Sequence, residues 1–431
     1  MSVTDHGLDV WLGERLAGRL RAPDGRALEF EYDAHYRDAI DATPLSLSIP
    51  LARAEHLQGA VTNFFEALLP EQGAARERIE LESGVSRSNV MGLLEYVGRD
   101  LPGAVCVVPV GQGLPSNGGV DRLSEVEFAE RIADLRRSAA AGGLPLSQHG
   151  QWSLAGAQAK IALAYADGLW GIPFGAVPTT HIVKPAIPGF EQFDAFEVIC
   201  LRAARRLGLS TAAAWLQPLV DGTHAAVVVR YDRLTSAEGQ VQRIHQEDLC
   251  QALGYPAWQK YERDGGPGIR QIGSLLRRLP AHLRQSSAQR LFDGLAFNYA
   301  IAGTDGHARN FSLLLSGPDA LLAPLYDLNS ALPFTRPWGK RFDSVRKLHA
   351  SFILGKSDAF VRVANDDWRV VAELLGIPTD YAIDRVTSIR DRTLTALEQS
   401  AEEVSAESQL VLDFDWNAAI SGYRAASALA Q

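Results

Sequence analysis

Asp305 and Asn310 stand five positions apart in the segment AGTDGHARNFSLLL, residues 302 to 315, between two apolar runs. A connecting loop needs only turn-forming and soluble residues, whereas this one also supplies a carboxylate and a carboxamide. In phosphoryl transfer, an aspartate in such a loop orients the attacking hydroxyl, and an asparagine offers its carbonyl oxygen to Mg²⁺. The spacing therefore indicates phosphoryl transfer, with an ordinary polar turn as the alternative.

Asp327 is a second acidic residue that follows a β-type run, FSLLL, and a short SGPD turn. Two strands paired as a hairpin would bring Asn310 and Asp327 to the same edge. Their oxygen atoms suit Mg²⁺, which takes few carboxylates and keeps phosphate and water in its shell. The alternative is that Asp327 is the N-cap of a helix beginning in LNSAL.

A turn of small residues in SLAGAQAK, residues 153 to 160, could hold phosphate groups. Its backbone N–H groups, at Ala155, Gly156 and Ala157, are free to approach a polyphosphate, and Lys160 adds a positive charge. The segment is not a Walker A sequence. A hairpin turn that happens to contain glycine is an equally ordinary explanation.

Lys184 lies on a short apolar strand, THIVKP. An ammonium there is costly unless it is paired. A nucleotide phosphate would pair with it, and so would Glu197 on the next predicted helix. Exposure of Lys184 on an edge strand, and of Glu197 on a helix surface, are the alternatives.

The order of these features is more informative than any single one. A small-residue turn, a strand lysine, a helix glutamate, a linking strand, a helical region, the D-x4-N loop and an aspartate after a hairpin follow one another as in a protein kinase. The sequence therefore predicts ATP-dependent phosphoryl transfer.

The elements needed to position these residues divide the chain into a β-rich part and a helical part. We predict an α+β class and a two-lobed protein-kinase-like fold, with a β-rich N-lobe, a helical C-lobe and an N-terminal α+β subdomain. The Gly-rich segment GQGLPSNGGVDRLS is the linker candidate. The predicted segments are the N-terminal subdomain 1–110, a linker and connecting helix 111–150, the N-lobe with phosphate loop and hinge 151–233, and the C-lobe with catalytic loop 234–431.

The composition is that of a globular protein, with 46% hydrophobic and 22% charged residues among 431. The formal charge of −9 argues against broad affinity for nucleic acid or anionic membrane. Three scattered cysteines, without CxxC spacing, give no disulfide framework or zinc site. With no signal peptide and no membrane-spanning apolar run, we expect a cytoplasmic protein.

Several long segments resemble the HipA serine/threonine kinases, toxins of bacterial toxin–antitoxin pairs. They include PLSLSIPL, FFEALLPEQGAARERI and YVGRDLPGAV, then SLAGAQAK, RIHQEDLCQALG, KYERDGGPGI, TDGHARNFS and LAPLYDLNSA. The resemblance covers most of the chain and fades after about residue 350. It implies ATP and Mg²⁺ as cofactors and a HipA-type N-terminal subdomain.

The resemblance also implies roles for individual residues. Asp305 matches the catalytic aspartate, Asn310 and Asp327 match the metal ligands, and Ser153 matches a serine that is autophosphorylated and silences the enzyme. The family usually has a glutamate in place of Val229, so side-chain contacts to adenine are not carried over there. The implied nucleotide-binding residues are Ala155, Gly156, Ala157, Gln158, Ala159, Lys160, Lys184, Val229, Arg230, Tyr231, His307, Ala308, Arg309, Asn310, Tyr326 and Asp327.

The resemblance further implies a substrate and partners. Family members phosphorylate an aminoacyl-tRNA synthetase, with glutamyl-tRNA synthetase as the first expectation here, and the resulting block of translation drives cells toward dormancy and persistence. A HipB-like helix-turn-helix antitoxin, acting as a dimer, would connect the kinase indirectly to operator DNA. The alternatives are a catalytically silent nucleotide-binding corepressor and a small-molecule phosphotransferase.

A few further residues admit two interpretations. His307 is either a metal ligand or general base, or a residue with a nucleotide-binding or structural role. Arg309 either offsets negative charge at the site or is a solvated surface residue. DGGPG, residues 264 to 268, is either a functional flap or a tight loop. Glu247 and Asp248 suit the first turn of a helix.

Overall fold

The computed structural model describes residues 7–23, 27–71, 74–140, 158–335 and 345–427. Strands dominate the first half of the described chain, and helices dominate the second half. The fold is therefore α+β, as the sequence predicts. Ser153 and the predicted phosphate-loop residues Ala155, Gly156 and Ala157 lie outside the described residues.

The N-terminal unit is built on a five-stranded antiparallel sheet with the strand order β4-β3-β2-β1-β5. Leu8, Val10 and Leu12 alternate along β1 and are buried, because successive side chains of a strand point to opposite faces. They share one hydrophobic core with Phe64 and Phe65. The elements are β1 (Leu8–Leu12), β2 (Arg15–Arg21), β3 (Glu29–Tyr32), α1 (Ala34–Arg37), β4 (Glu55–Leu57), α2 (Ala60–Ala67), α3 (Ala74–Ser83), α4 (Val90–Val97) and β5 (Val105–Pro109).

The segment VTNFFEALLPEQGAARERIE, which the sequence predicts to be one helical piece, forms two helices instead. Helix α2 ends at Ala67 and α3 begins at Ala74, with Pro70 between them. Proline has no N–H to donate and its ring clashes with the preceding helical turn. The interruption leaves Glu71 in a non-helical connection.

The next unit is a six-stranded antiparallel sheet with the order β10-β11-β9-β7-β8-β6. Helix α6 packs against β10 and β11, and most of its residues are buried. The elements are β6 (Gly118–Arg122), α5 (Glu125–Ala140), β7 (Ile161–Ala166), β8 (Leu169–Gly175), β9 (His181–Pro185), α6 (Phe193–Arg206), β10 (Ala214–Pro218) and β11 (His224–Val229).

The segment that the sequence marks as a linker contributes a strand to this sheet. β6 pairs with β8 at the edge and is largely exposed, which suits its polar, Gly-rich composition. A Cβ atom at Gly118 would lie 2.5 Å from the carbonyl oxygen of Phe174. Glycine is therefore required for the two backbones to approach so closely.

The rest of the chain is mostly helical around α9, where Phe292 packs edge-on against Trp368 of α10 at 5.5 Å. The segment QEDLCQALG begins as a strand and becomes helical only after Asp248, which caps α7 in a capping box with Gln251. The elements are β12 (Arg233–Thr235), β13 (Val241–Arg243), β14 (His245–Asp248), α7 (Leu249–Leu253), α8 (Ile269–Leu276), α9 (Ala281–Ala300), β15 (Ser312–Ser316), β16 (Asp319–Leu322), β17 (His349–Leu354), β18 (Ser357–Ala359), α10 (Asn365–Leu375), α11 (Thr379–Ser408) and α12 (Trp416–Ala426).

A buried ionic cluster, which we call the hinge network, fastens the N-terminal unit to the end of β11. It consists of Asp100, Arg230, Asp232 and Arg233, all buried. Arg233 contacts Asp100 at 2.9 Å, Arg230 contacts Asp232 at 2.8 Å, and the Gly103 N–H donates to Asp232 at 2.7 Å. Each of these four charges lies next to an opposite charge, and this pairing offsets the cost of removing the four side chains from water.

A second set of contacts fastens the N-terminal unit to the helical lobe. The Ser48 hydroxyl donates to the Gln251 carbonyl at 2.8 Å, and the Asn63 amide donates to the Gly254 carbonyl at 2.8 Å. The Leu47 N–H donates to the fully buried Glu247 at 2.9 Å. Burial raises the pKa of Glu247 to about 8. Glu247 is therefore an interface residue of β14 and does not belong to a helix.

Cys106, Cys200 and Cys250 are buried and free, in keeping with the sequence, which gives no disulfide framework. Among the helices that the structure describes, none is both long enough and apolar enough to cross a bilayer.

Candidate active site

Lys184 links the six-stranded sheet to helix α6 and to Asp327. It lies in β9 opposite Ala226 of β11, and its side chain is buried. Its Nζ atom donates to Glu197 Oε1 at 2.6 Å and also to Asp327 Oδ1. Desolvation lowers the pKa of Lys184, but the two carboxylates more than reverse this and raise it. The ammonium is therefore charged and paired, and Lys184 is not exposed.

Asp327 has a left-handed backbone conformation, with φ at 51°. Aspartate adopts this left-handed region more readily than most residues other than glycine. Desolvation raises the pKa of Asp327, but Lys184 and Lys160 outweigh it and lower the pKa to about 2. The next helical turn begins only at Leu332, so Asp327 does not cap a helix.

Lys160, at the end of the predicted phosphate loop, lies close to the same carboxylate. Desolvation lowers the pKa of Lys160 to about 8, although Asp327 opposes this shift. The Gln158 amide donates to the carbonyl of Pro185 at 3.5 Å, which ties this part of the chain to β9. Gln158, Ala159 and Lys160 are the described residues of the predicted loop.

The D-x4-N loop begins where α9 ends. The Gly303 N–H donates to the Asn298 carbonyl at 2.7 Å, and a Cβ atom at Gly303 would lie 2.5 Å from Asn298 Oδ1. The side-chain amide of Asn310 donates to the backbone carbonyl of Asp305 at 2.7 Å. The two residues of the motif therefore face one another across the loop, and the carbonyl oxygen of the Asn310 side chain stays available as an acceptor.

The carboxylate of Asp305 is 66% exposed and receives a hydrogen bond from the Tyr261 hydroxyl at 2.6 Å. Desolvation raises the pKa of Asp305, and the hydrogen bond from Tyr261 lowers it in part. Asp327 and Glu71 also act to raise it, and solvent screens these contributions because the carboxylate is open to water. The charge of Asp327 is therefore near enough to act on Asp305, and the adjoining Tyr326 hydroxyl bonds to the Arg309 carbonyl in the loop of Asp305; we call the region between the two carboxylates the cleft.

His307 is buried and lies edge-on to the ring of Tyr261, with 5.1 Å between the ring centres. Desolvation lowers its pKa to about 3, helped by the nearby charges of Lys260 and Arg309. The imidazole is therefore neutral at physiological pH. Its Nε2 atom lies 3.8 Å from Asp305 Oδ1, a distance beyond a hydrogen bond, which favours the structural interpretation.

Arg309 is not solvated, because its guanidinium is buried between the helical lobe and the N-terminal unit. It contacts Asp248 at 3.0 Å, Glu71 at 2.9 Å and the carbonyl of Ala67 at 3.2 Å. Glu71 also binds Lys260 at 3.0 Å, whose carbonyl accepts the N–H of the buried Ala308 at 3.3 Å. The guanidinium of Arg309 is thus already paired. The predicted nucleotide contact of Arg309 could therefore involve only its backbone atoms, and it stays a prediction.

Glu71→Gln should loosen this attachment of the catalytic loop. Loss of the charge weakens the bonds to Lys260 and Arg309, and we expect the free energy of unfolding to fall by about 1–3 kcal/mol. Denaturant unfolding measures this change, and amide hydrogen exchange should rise between residues 256 and 310. Glu77→Gln, which weakens the half-exposed pair with Arg87, is the matched control and should change neither. Equal behaviour of the two variants would contradict the prediction.

The predicted hinge lies at the end of β11. The Val229 and Arg230 N–H groups donate to the carbonyls of Ala213 at 2.8 Å and Thr180 at 2.9 Å. The guanidinium of Arg230 belongs to the hinge network, so it does not face a ligand. The predicted contact of this strand with adenine would therefore be made by backbone atoms or by the Tyr231 side chain, and it stays a prediction.

Tyr231 and Tyr326 form a stacked pair next to the catalytic loop, with 5.3 Å between their ring centres. The Tyr231 hydroxyl donates to the Gln246 side chain at 2.9 Å, and the Tyr326 hydroxyl donates to the Arg309 carbonyl at 2.7 Å. The structure thus joins the predicted hinge to the segment before Asp327. A flat aromatic surface at this place suits a nucleobase.

The residues predicted as metal ligands fit Mg²⁺ in their chemistry. The bond from Asn310 to Asp305 uses the side-chain nitrogen of Asn310 and does not involve its side-chain oxygen. One oxygen of Asp327, Oδ1, contacts Lys184. Within the described residues, no cluster of three or more His, Cys, Asp or Glu side chains could hold a metal ion. A site with one carboxylate and one carboxamide is consistent with Mg²⁺, which takes its remaining ligands from phosphate and water.

Sequence reasoning missed Tyr261, Lys260 and Glu71 as neighbours of Asp305. Both KYERDGGPGI and LLPEQG occur in the segments that carry the family resemblance, but neither has a spacing that assigns it a chemical role. Glu71 is separated from Arg309 by 238 positions, and Tyr261 from Asp305 by 44. Only the folded chain brings them together.

Comparison with known proteins shows the same organisation. The family of HipA-like C-terminal domains matches residues 152–399, and the HipA N-terminal domain matches residues 8–108. The Y4mE protein of Sinorhizobium fredii is 32% identical over 408 residues, which cover 92% of each chain. Serine/threonine-protein kinase toxin HipA of Shewanella oneidensis is 29% identical over 414 residues, 90% of this chain and 88% of the relative.

The fold itself matches a solved structure of Shewanella oneidensis HipA with HipB and its operator DNA. The TM-score is 0.78 at 24% identity, and the match covers 97% of this chain and 95% of the other. The fold is thus a two-lobed protein-kinase-like fold with an N-terminal α+β subdomain, as the sequence predicts. The chain belongs to the HipA family of kinase toxins.

Proposed function

We propose that the protein transfers the γ-phosphate of ATP to a serine or threonine of another protein. The observation that carries the proposal is the exposed Asp305 carboxylate, which lies near the half-buried Asp327, itself paired with the buried Lys184–Glu197 pair. Asp305 accepts a hydrogen bond from the substrate hydroxyl and orients it. The hydroxyl oxygen then bonds to the γ-phosphorus as the bond to the β–γ bridging oxygen breaks, the hydroxyl proton passes to Asp305, and ADP leaves.

Charge neutralisation is the main work of the other residues in this proposal. Lys160 and Lys184 hold phosphate oxygens, with Glu197 keeping the Lys184 ammonium in place. Asn310 and Asp327 hold Mg²⁺, which, when bound, neutralises charge on the phosphate oxygens. The stacked pair of Tyr231 and Tyr326 provides a surface for adenine beside the strand that ends at Val229.

Asp327→Asn should weaken the metal site. Loss of the carboxylate removes the only charged metal ligand of the proposal, and we expect the Mg²⁺ concentration for half-maximal phosphorylation to rise at least about 10- to 100-fold. Calorimetry of Mg²⁺–nucleotide binding gives a second readout, and circular dichroism checks the fold. Asp319→Asn, on strand β16, is the matched control because this residue is partly exposed. An unchanged Mg²⁺ dependence would remove Asp327 from the metal site.

We further propose an aminoacyl-tRNA synthetase as the substrate, with glutamyl-tRNA synthetase tested first, so that phosphorylation stops translation and promotes growth arrest and persistence. Membership of the HipA family supports this proposal. The experiment is phosphosite mapping in cells that express either the active protein or Asp305→Asn. Absence of an active-protein-dependent phosphoserine or phosphothreonine on any synthetase would reject it.

We also propose a dimeric HipB-like helix-turn-helix antitoxin as the partner, which would bring the kinase to operator DNA. The fold match to a HipA in complex with HipB and DNA supports this proposal.

Ser153, outside the described residues, is the proposed autophosphorylation site, where a dianionic group would repel ATP phosphates. Incubation with radiolabelled ATP and mass spectrometry test it. No label in the wild-type protein would favour the silent corepressor.

A further inference from the structure

Tyr261 contacts Asp305 directly, although the proposed mechanism assigns it no role. Its hydroxyl donates to Oδ1 of Asp305 at 2.6 Å. Nε2 of the neutral His307 faces that same oxygen at 3.8 Å. Both neighbours therefore lie on the Oδ1 side of the carboxylate, which leaves Oδ2 for another partner.

The position of Tyr261 is fixed by the loop DGGPG, residues 264 to 268. The Asp264 and Gly266 N–H groups both donate to the carbonyl of Tyr261, at 3.1 and 2.9 Å. Gly265 has φ at 86°, and a Cβ atom at Gly266 would lie 2.2 Å from the carbonyl oxygen of Gln259. The loop closes only with glycine at these positions, and so it holds the tyrosine backbone tightly.

The ring of Tyr261 is held as well. It lies edge-on to His307 at 5.1 Å, and Lys260 Nζ lies 5.6 Å from its centre on the ring face. Lys260 is itself bound to Glu71 of the N-terminal unit. Tyr261 is thus restrained at three places: its backbone by the DGGPG loop, its ring edge-on by His307, and its ring face by Lys260. Its hydroxyl therefore reaches Asp305 from a fixed position.

We propose that Tyr261 is a positioning residue for Asp305, holding Oδ1 so that Oδ2 faces the hydroxyl of the protein substrate. This inference rests on the proposed role of Asp305. A carboxylate that is 66% exposed rotates freely unless it is tethered, and misplacement by about 1 Å costs on the order of 10²-fold in rate. A phenol suits this purpose because it donates a hydrogen bond without adding a charge that would compete with the phosphates.

The test uses the full-length protein with Tyr261→Phe, which retains the ring against His307 and removes only the hydroxyl. We expect kcat to fall about 10- to 100-fold with the KM for ATP unchanged. Because the tyrosine hydroxyl bonds to Asp305, its loss should slow the transfer step and leave the unfolding midpoint unchanged. Tyr381→Phe, on the partly exposed surface of α11, is the matched control and should match the wild type.

The outcomes separate this inference from the proposed function. Full activity of Asp305→Asn would overturn the role of Asp305 itself. With Asp305→Asn inactive, an unchanged kcat of Tyr261→Phe would overturn the positioning role alone. A faster Tyr261→Phe would also overturn it, because the tyrosine would then occupy the place of the substrate hydroxyl. A lower kcat with an unchanged KM for ATP and an unchanged unfolding midpoint supports it, since a purely structural defect would change the unfolding midpoint as well.

Discussion

Asp305→Asn is expected to slow phosphorylation of a protein substrate by about 10²- to 10⁴-fold, the usual contribution of a positioned acid–base group. The amide keeps the size of the side chain and still accepts the hydrogen bond from Tyr261. It cannot orient or deprotonate the attacking hydroxyl as a carboxylate does. Transfer of radiolabelled phosphate in a single turnover measures the rate of the chemical step.

Binding and folding should be unaffected by this substitution, because the carboxylate is largely exposed. Calorimetric affinity for ATP and the unfolding midpoint should therefore match those of the wild type. Asp366→Asn, at the exposed start of α10, serves as the control and should retain full activity. If Asp305→Asn phosphorylates substrate at the wild-type rate, the catalytic loop has been assigned wrongly.

Asp100→Asn should produce the largest loss of stability. The substitution removes one carboxylate from the hinge network and leaves the buried Arg233 short of a partner, since its remaining carboxylate, Asp232 at 3.0 Å, is shared with Arg230. Breaking a buried ion pair in this way costs about 3–5 kcal/mol. Denaturant unfolding should show this loss as a lower midpoint.

The effect of Asp100 should depend on pH. Desolvation raises its pKa, but Arg233 and Arg230 reverse this and lower it in the folded protein. Its stabilising contribution is therefore complete above the unfolded pKa of about 3.9 and is lost as the pH falls below it. The difference between wild type and variant should shrink there. Asp41→Asn, in an exposed pair with Arg15, should cost no more than about 1 kcal/mol at any pH.

The sequence predicts the polar features of the cleft because local rules govern them. A lysine on an apolar strand must find a partner, and the adjoining helix offers Glu197. The structure forms this pair and brings Asp327 to the same ammonium. The hairpin of β15 and β16, and the Asp305–Asn310 loop, likewise follow from short-range patterns of apolar runs and turn residues.

Other features depend on contacts between distant segments, which no local pattern records. The sequence leaves Arg309 either as a charge that offsets the site or as a solvated surface residue, whereas the fold buries it with Glu71 and Asp248 between two units. β6 is polar and glycine-rich, as a linker is, because it lies at the edge of a sheet where only its backbone is required. The split between α2 and α3 is different: the segment is predicted as one helical piece, but Pro70 within it is a local signal against a continuous helix.

The N-terminal unit contacts both sides of the cleft, through Asp100 at the hinge and through Glu71 at the catalytic loop. The two lobes also contact each other directly, since α11 packs against α6, and the N-terminal unit adds a third body that is attached to both of them. A rotation that moves the two lobes apart would have to break the buried ion pairs of either Asp100 or Glu71. A shortened chain that starts after residue 110 would lose this connection between the lobes, together with Asp100 and Glu71, which pair with the buried Arg233 and Arg309.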